Sequence, residues 1–245
     1  GMLPQGLRGP VFGTLGKLWP KADWAPQFLR AKSTFQSLAR SGDEGYARGL
    51  SALAPEQRDL LYTDEMRRSL SGYAAEQPFM AMMRDAPAQS GLDRAQYADL
   101  KFWMPGDILT KVDRTSMAVG LEAREPLLDH RLIEFAAGLP HDARIKGAQG
   151  KYLLKHTMER YLPHDILYRS KMGFVTPLAA WFRGPLAGEA RRIATSGTLA
   201  NTGWLDTGHM KTLAENHISG VSDNSRVLWQ LMMLEKSLSG LSTSA

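Results

Sequence analysis

Helical periodicity runs through nearly the whole chain, and alternating Val/Ile/Thr runs are almost absent, which leaves little to build with except packed helices. In the last segment, Val227, Leu228, Leu231, Met232, Glu235 and Leu238 trace a mostly apolar stripe, with Ser222 placed to cap its start and Gly240 to end it. Just before it, Met210, Leu213, Ala214 and Ile218 repeat the spacing and Gly220 closes the segment, so the region reads as a helical hairpin. Asp129 as N-cap and Gly138-Leu139-Pro140 as stop bound another helix, with Leu132, Ile133, Phe135 and Ala136 on its apolar face. Further helices are predicted from about Trp24 to Ala39, Pro55 to Tyr62, Asp64 to Leu70, Leu92 to Met104, Gly106 to Val119, Lys151 to Tyr161 and Pro185 to Ala194. The fold class is therefore all-α. Residues 1–20 carry spaced Gly and Pro and are expected to run irregularly, residues 21–240 form the helical body, and 241–245 are a fraying polar tail. Gly1 ahead of Met2 reads as a cleavage scar left by expression.

Composition narrows the function classes. With 43% hydrophobic and 22% charged residues, 245 residues fit a folded chain of one or two domains. The absence of cysteine excludes disulfides, thiolate metal sites, iron–sulfur clusters and a cysteine nucleophile within this chain, and fits a reducing compartment. A net charge of +5 is mild and does not point to nucleic acid. Neither a membrane span nor a signal peptide is readable, so the expectation is a soluble, cytoplasmic protein.

The scan for self-contained chemistry is mostly negative. Gly16-Lys17 and Gly150-Lys151 lack the first glycine and the Ser/Thr of a phosphate loop. No His-Glu-x-x-His pair or zinc-type cluster occurs, so no metal site made wholly of protein ligands is expected. Three stretches are organised for more than packing. In the first, a break at Pro105-Gly106 leads into a helix carrying Asp107, Lys111, Asp113 and Arg114, with Asp107 and Lys111 one turn apart. Ile108, Leu109 and Val112 are expected to face a core. The second, Gly120 to Asp129, is an extended link in which Glu122 and Arg124 are placed to pair. The third, Arg169 to Pro177, is a non-periodic loop that sets Lys171 two positions before Gly173. A cation there either stands as an ordinary solvated surface lysine or, placed in a cleft, meets phosphate oxygens as a point charge.

Order and wording of these stretches resemble the synthetase domain of the glutamine-dependent asparagine synthetases, the asparagine synthase B family. Lys111-Val112-Asp113-Arg114-Thr115-Ser116-Met117-Ala118 is similar to that family's KVDRxSMA segment, Gly120 to Asp129 to its GLExRxPxLD segment, and Lys171-Met172-Gly173-Phe174 to its KxGF segment. The finer wording is most similar to amidotransferases of exosortase-linked exopolysaccharide systems. The resemblance is strongest from about Phe102 to Phe182, about a third of the chain.

The resemblance implies an ATP-dependent ligase that forms asparagine from aspartate through an acyl-adenylate, releasing AMP and pyrophosphate, with ammonia from an N-terminal glutaminase domain. The family's Ser-Gly-Gly-x-Asp-Ser loop has no counterpart here. The chain thus reads as the helical C-terminal portion of an α/β ATP-pyrophosphatase (adenine nucleotide α-hydrolase-like) synthetase domain, its nucleotide-binding sheet absent, and alone it is expected to be inactive. By matching position, Lys171 reaches the ATP phosphates and the adenylate, and Arg114 holds the pyrophosphate end. Lys111, Glu122, Arg124 and Gly173 carry over as support of that wall. ATP and Mg2+ are implied for the full-length parent, with their ligands mostly outside this chain. Implied partners are the glutaminase domain, the nucleotide-binding half and small-molecule substrates, with no nucleic acid or membrane; exposed apolar helix surface is compatible with self-association. The alternative is a basic helical binding or scaffold module without catalysis, drawn from the positive balance and the Arg67-Arg68 and Arg191-Arg192 pairs.

Overall fold

The computed structural model describes residues 5–18, 41–170, 173 and 176–243. It is mostly helical, as the periodicity requires; among the described residues the only paired strands are Ile145–Lys146 and Gln149–Gly150, two residues each. The helix expected from Trp24 to Ala39 lies outside the described residues. Two compact units emerge. One holds the chain up to Lys101 and again from Thr176, and the other is Phe102–Val175.

In the first unit, short helices start where the local chemistry dictates. Ser41, Thr63 and Ser90 each accept a backbone N–H of the first turn, opening the helices Gly42–Leu50, Asp64–Leu70 and Gly91–Ala98. Pro55 opens Pro55–Leu61 at a position that needs no donor. Gln5–Leu18 is also helical, with Pro10 inside it, although its glycines and prolines predict irregular chain.

The C-terminal hairpin forms from Thr207–Ile218 and Ser225–Thr243, turning at Gly220, whose φ of 81° is one an L side chain rarely adopts. Val227, Leu228, Leu231 and Met232 are buried together with Phe182, Leu199 and Met210. Two end signals differ from expectation. The carboxylate of Asp223 accepts the Ser225 N–H at 3.0 Å, so Asp223 rather than Ser222 serves the start. Gly240 does not stop the helix: its φ is not positive, and the helix runs on through it to Thr243.

Within the apolar stripe, Glu235 is only 2% exposed. Its carboxylate accepts the N–H of Thr198 at 3.0 Å and of Leu199 at 2.7 Å, opening the short Leu199–Thr202 turn, and lies 3.4 Å from the Arg192 guanidinium. Burial pushes this carboxyl up, yet the two amides and Arg192 outweigh it and hold the group below its ordinary value. Gly197 makes room: a Cβ there would stand 2.7 Å from Glu235 Oε2.

Two further carboxylates are held low. The Arg58 guanidinium beside Glu76 brings that carboxyl down to about 2, and Arg192 does the same for Glu189. A carboxyl whose folded value is depressed stabilises the fold above its unfolded value, here 4.5, and the contribution is lost as pH falls through the folded one. The thermal midpoint should therefore fall as pH is lowered from about 4.5 towards 2, and a midpoint unchanged across about pH 5 to 3 would contradict these pairings.

Candidate functional site

The residues singled out by motif belong to the second unit. The chain enters it through Asp99–Leu109, which winds as a π-helix with Pro105 inside, so the predicted break at Pro105-Gly106 is absent. In an α-helix the proline ring would press on the carbonyl of the preceding turn; the wider π winding gives it room, and the Thr110 hydroxyl donates to the Pro105 carbonyl at 2.5 Å. Asp99, at the start of this segment, accepts the Tyr46 hydroxyl at 2.7 Å. Burial, with that bond, pushes the phenol up to about 12.

The α-helix proper is Thr110–Met117, shorter than the predicted Gly106 to Val119. Gly120, at φ 71°, ends it, and the Leu121 N–H returns to the Ser116 carbonyl at 3.0 Å. Ile108, Leu109 and Val112 are half-buried rather than core, and no described residue from 102 to 170 is buried. Large apolar side chains stand open there, among them Val119 at 80%, Leu121 at 64% and Phe135 at 62% exposure.

Charges follow a simple pattern along this stretch. Lys111 Nζ lies 3.6 Å from Asp107, one turn back as its spacing predicts. Arg124 pairs with Glu122 at 2.8 Å across the link, both well exposed. Asp129 caps the His130–Ala137 helix through the Arg131 N–H and also pairs with the Arg131 guanidinium at 2.9 Å, which hold its carboxyl below the ordinary range. Arg114, exposed on its helix, has no carboxylate partner among the described residues. Gly173 is exposed, and Lys171 lies outside the described residues. The structure thus joins Asp107 to Lys111 and Glu122 to Arg124, while no hydrogen bond or ion pair links Arg114 to either pair or to Gly173.

Comparison with known proteins decides the family. The family model of asparagine synthase matches residues 11–239. The chain belongs to the asparagine synthase family. A putative glutamine-hydrolysing asparagine synthetase of Mycobacterium bovis is 31% identical over 93% of this chain and 34% of its own length. Glutamine-hydrolysing asparagine synthetase 1 of Bacillus subtilis is 31% identical over 61% of this chain and 23% of its own length. That of Bos taurus is 40% identical over 31% of the chain and 15% of its own length. The chain thus spans about a third or less of these relatives. No solved structure matches it. Among the described residues no helix is long and apolar enough to cross a membrane.

The sequence alone did not point to the cluster around Tyr168 and Glu159, nine residues apart. Its only local sign is the run of aromatic and imidazole side chains from Tyr152 to Tyr168.

Proposed function

We propose that this chain is the helical C-terminal portion of the synthetase domain of a glutamine-hydrolysing asparagine synthetase or related amidotransferase. There the carboxylate of aspartate attacks the α-phosphate of ATP, an acyl-adenylate forms with release of pyrophosphate, and ammonia displaces AMP to give the amide. The observation that carries this reading is Arg114. Within the family's KVDR segment its guanidinium is exposed and unpaired among the described residues, whereas Lys111, Arg124 and Arg131 each face a carboxylate. A cation left without an internal partner is available to an incoming anion, and pyrophosphate is a leaving group of high charge.

Lys171, by its place in the family's KxGF segment, supplies the second cation, with Glu122, Arg124, Lys111 and Gly173 shaping the wall around both. The unburied apolar side chains of the second unit fit coverage by the nucleotide-binding half of the parent. The relatives' greater length leaves room for that half and for a glutaminase domain. Magnesium accompanies ATP in this reading, but among the described residues no three His, Asp or Glu side chains gather to hold a metal, so no step is assigned to it here.

Nothing favours the basic binding module comparably. Arg67 pairs with Asp64, Arg191 with Glu215 and Arg192 with Glu189, so the paired arginines that suggested it are largely neutralised internally. In the full-length enzyme, Lys171→Ala should sharply reduce aspartate-dependent release of AMP and pyrophosphate while glutaminase activity persists. Unchanged AMP formation would reject the assignment.

A further inference from the structure

The two units differ in what holds them. In the first, two clusters are sealed from water, one built around Phe182, Leu199, Met210 and Leu231, the other around Phe79 and Met83. In the second, no described residue from 102 to 170 is buried, and large apolar side chains stand open instead, among them Phe102, Met117, Val119, Leu121, Leu127 and Phe135. Its α-helices, among the described residues, are at most eight residues long, whereas a helix alone in water is marginal even at about 12–15 residues. Its sheet is a ladder of two residues by two. Polar contacts do not replace the missing core. The Tyr168 hydroxyl donates to Glu159 Oε1 at 2.5 Å, Arg124 pairs with Glu122 at 2.8 Å, and Lys146 Nζ stands 4.6 Å from the Tyr152 ring centroid, but exposed contacts of this kind contribute little.

We propose that the second unit folds only against the nucleotide-binding half of the parent, so that the wall carrying Arg114 is built by docking rather than presented ready-made. This rests on the reading of Arg114 as a cation for the departing pyrophosphate. Ordering a chain costs conformational entropy at every residue, and burial of apolar surface is the main term that offsets it. A stretch that buries no side chain by itself must find that burial in a partner. The occupant follows from where the open surface lies. Met117 is three residues beyond Arg114 on one helix, so the two are neighbours on its surface. Val119 and Leu121 stand open at the same end, where the Leu121 N–H returns to the Ser116 carbonyl. Whatever covers this apolar end therefore arrives beside Arg114, and the part of the parent that holds the triphosphate brings the charge that answers the guanidinium. The length for such a part exists, since this chain spans 34% of the Mycobacterium bovis relative and leaves the larger share of such a protein outside it.

Hydrogen exchange read by mass spectrometry, on this chain alone and on the full-length synthetase, is the test. In the chain alone, amides of Thr207–Ile218 and Ser225–Thr243 should be slowed more than about a thousandfold, and those of Thr110–Met117 and His130–Ala137 less than about tenfold. In the full-length enzyme the latter two helices should gain at least about a hundredfold. Val119→Asp combined with Phe135→Asp in the full-length enzyme should return them to the level of the chain alone, while the C-terminal helices keep their protection and so report that the variant is folded. Comparable protection of both units in the chain alone, or unchanged protection in the double variant, would overturn folding on docking. Protection of the second unit that rises with the concentration of the chain alone would give the surface to a second copy, and exchange as fast in the full-length enzyme as in the chain alone would remove the nucleotide-binding half as occupant; either result overturns the proposal. Exchange is read without turnover, so full AMP release by Arg114→Ala would overturn the reading beneath and leave these patterns as they are.

Discussion

Arg114→Ala in the full-length enzyme is expected to lower kcat/KM for ATP in aspartate-dependent AMP release by roughly a hundredfold to a thousandfold, with the thermal midpoint unchanged. The two halves of this expectation have separate causes. Arg114 is exposed and has no carboxylate partner among the described residues, so removing it breaks no ion pair that supports the fold. In a site closed over a triphosphate, the same guanidinium would face charge that grows as pyrophosphate departs, and a fixed donor there acts most strongly in the transition state. Arg114→Lys should recover part of the loss, since it restores the charge without the planar fork. Arg124→Ala is the informative neighbour. It breaks an exposed pair with Glu122, at 2.8 Å, worth little to stability, so any loss of rate would report on the shape of the link rather than on a missing contact to phosphate. A fall in stability with full activity in Arg114→Ala would assign the residue to packing instead.

Glu235→Ala should destabilise the fold by about 2–6 kcal/mol, because two backbone amides lose their acceptor and each unsatisfied buried donor costs about 1–3 kcal/mol. For a chain of this size that corresponds to a thermal shift of roughly 4–24 °C. Gly197→Ala should destabilise as well, since its Cβ would stand 2.7 Å from the Glu235 carboxylate, which cannot give way without disturbing its bonds to the Thr198 and Leu199 amides. The two changes should not add. Once the carboxylate is gone, the obstacle to a side chain at position 197 is gone with it, so the double variant should be more stable than the sum of the single losses implies. Urea unfolding of the four proteins measures this directly; a loss below about 1 kcal/mol in Glu235→Ala would mean that other groups satisfy the amides of Thr198 and Leu199.

Much of the architecture is local in origin, and such features are legible in the chain. The cap at Asp129, the bounds of Asp64–Leu70, the turn at Gly220 and the one-turn pairing of Asp107 with Lys111 all depend on residues within a few positions of one another. The family motifs are legible for the same reason, as contiguous words. Reading failed where a local signal met a competing geometry: Pro105 announces a break, yet a wider winding accommodates it, and the sequence carries no sign of which would prevail.

The sequence by itself determined an all-α chain of the asparagine synthase family, because helix periodicity follows from how side chains divide between water and core along a backbone of fixed pitch. Tertiary structure alone decided what Glu235 and Glu159 do. Periodicity makes Glu235 one more member of an apolar stripe, and nothing nearby in the chain reveals that the amides of Thr198 and Leu199 wait for its carboxylate. Glu159 likewise gains its partner only when two helices bring Tyr168 to it. Hydrogen bonds between distant groups depend on which surfaces meet in the folded chain, and that information resides in packing rather than in spacing.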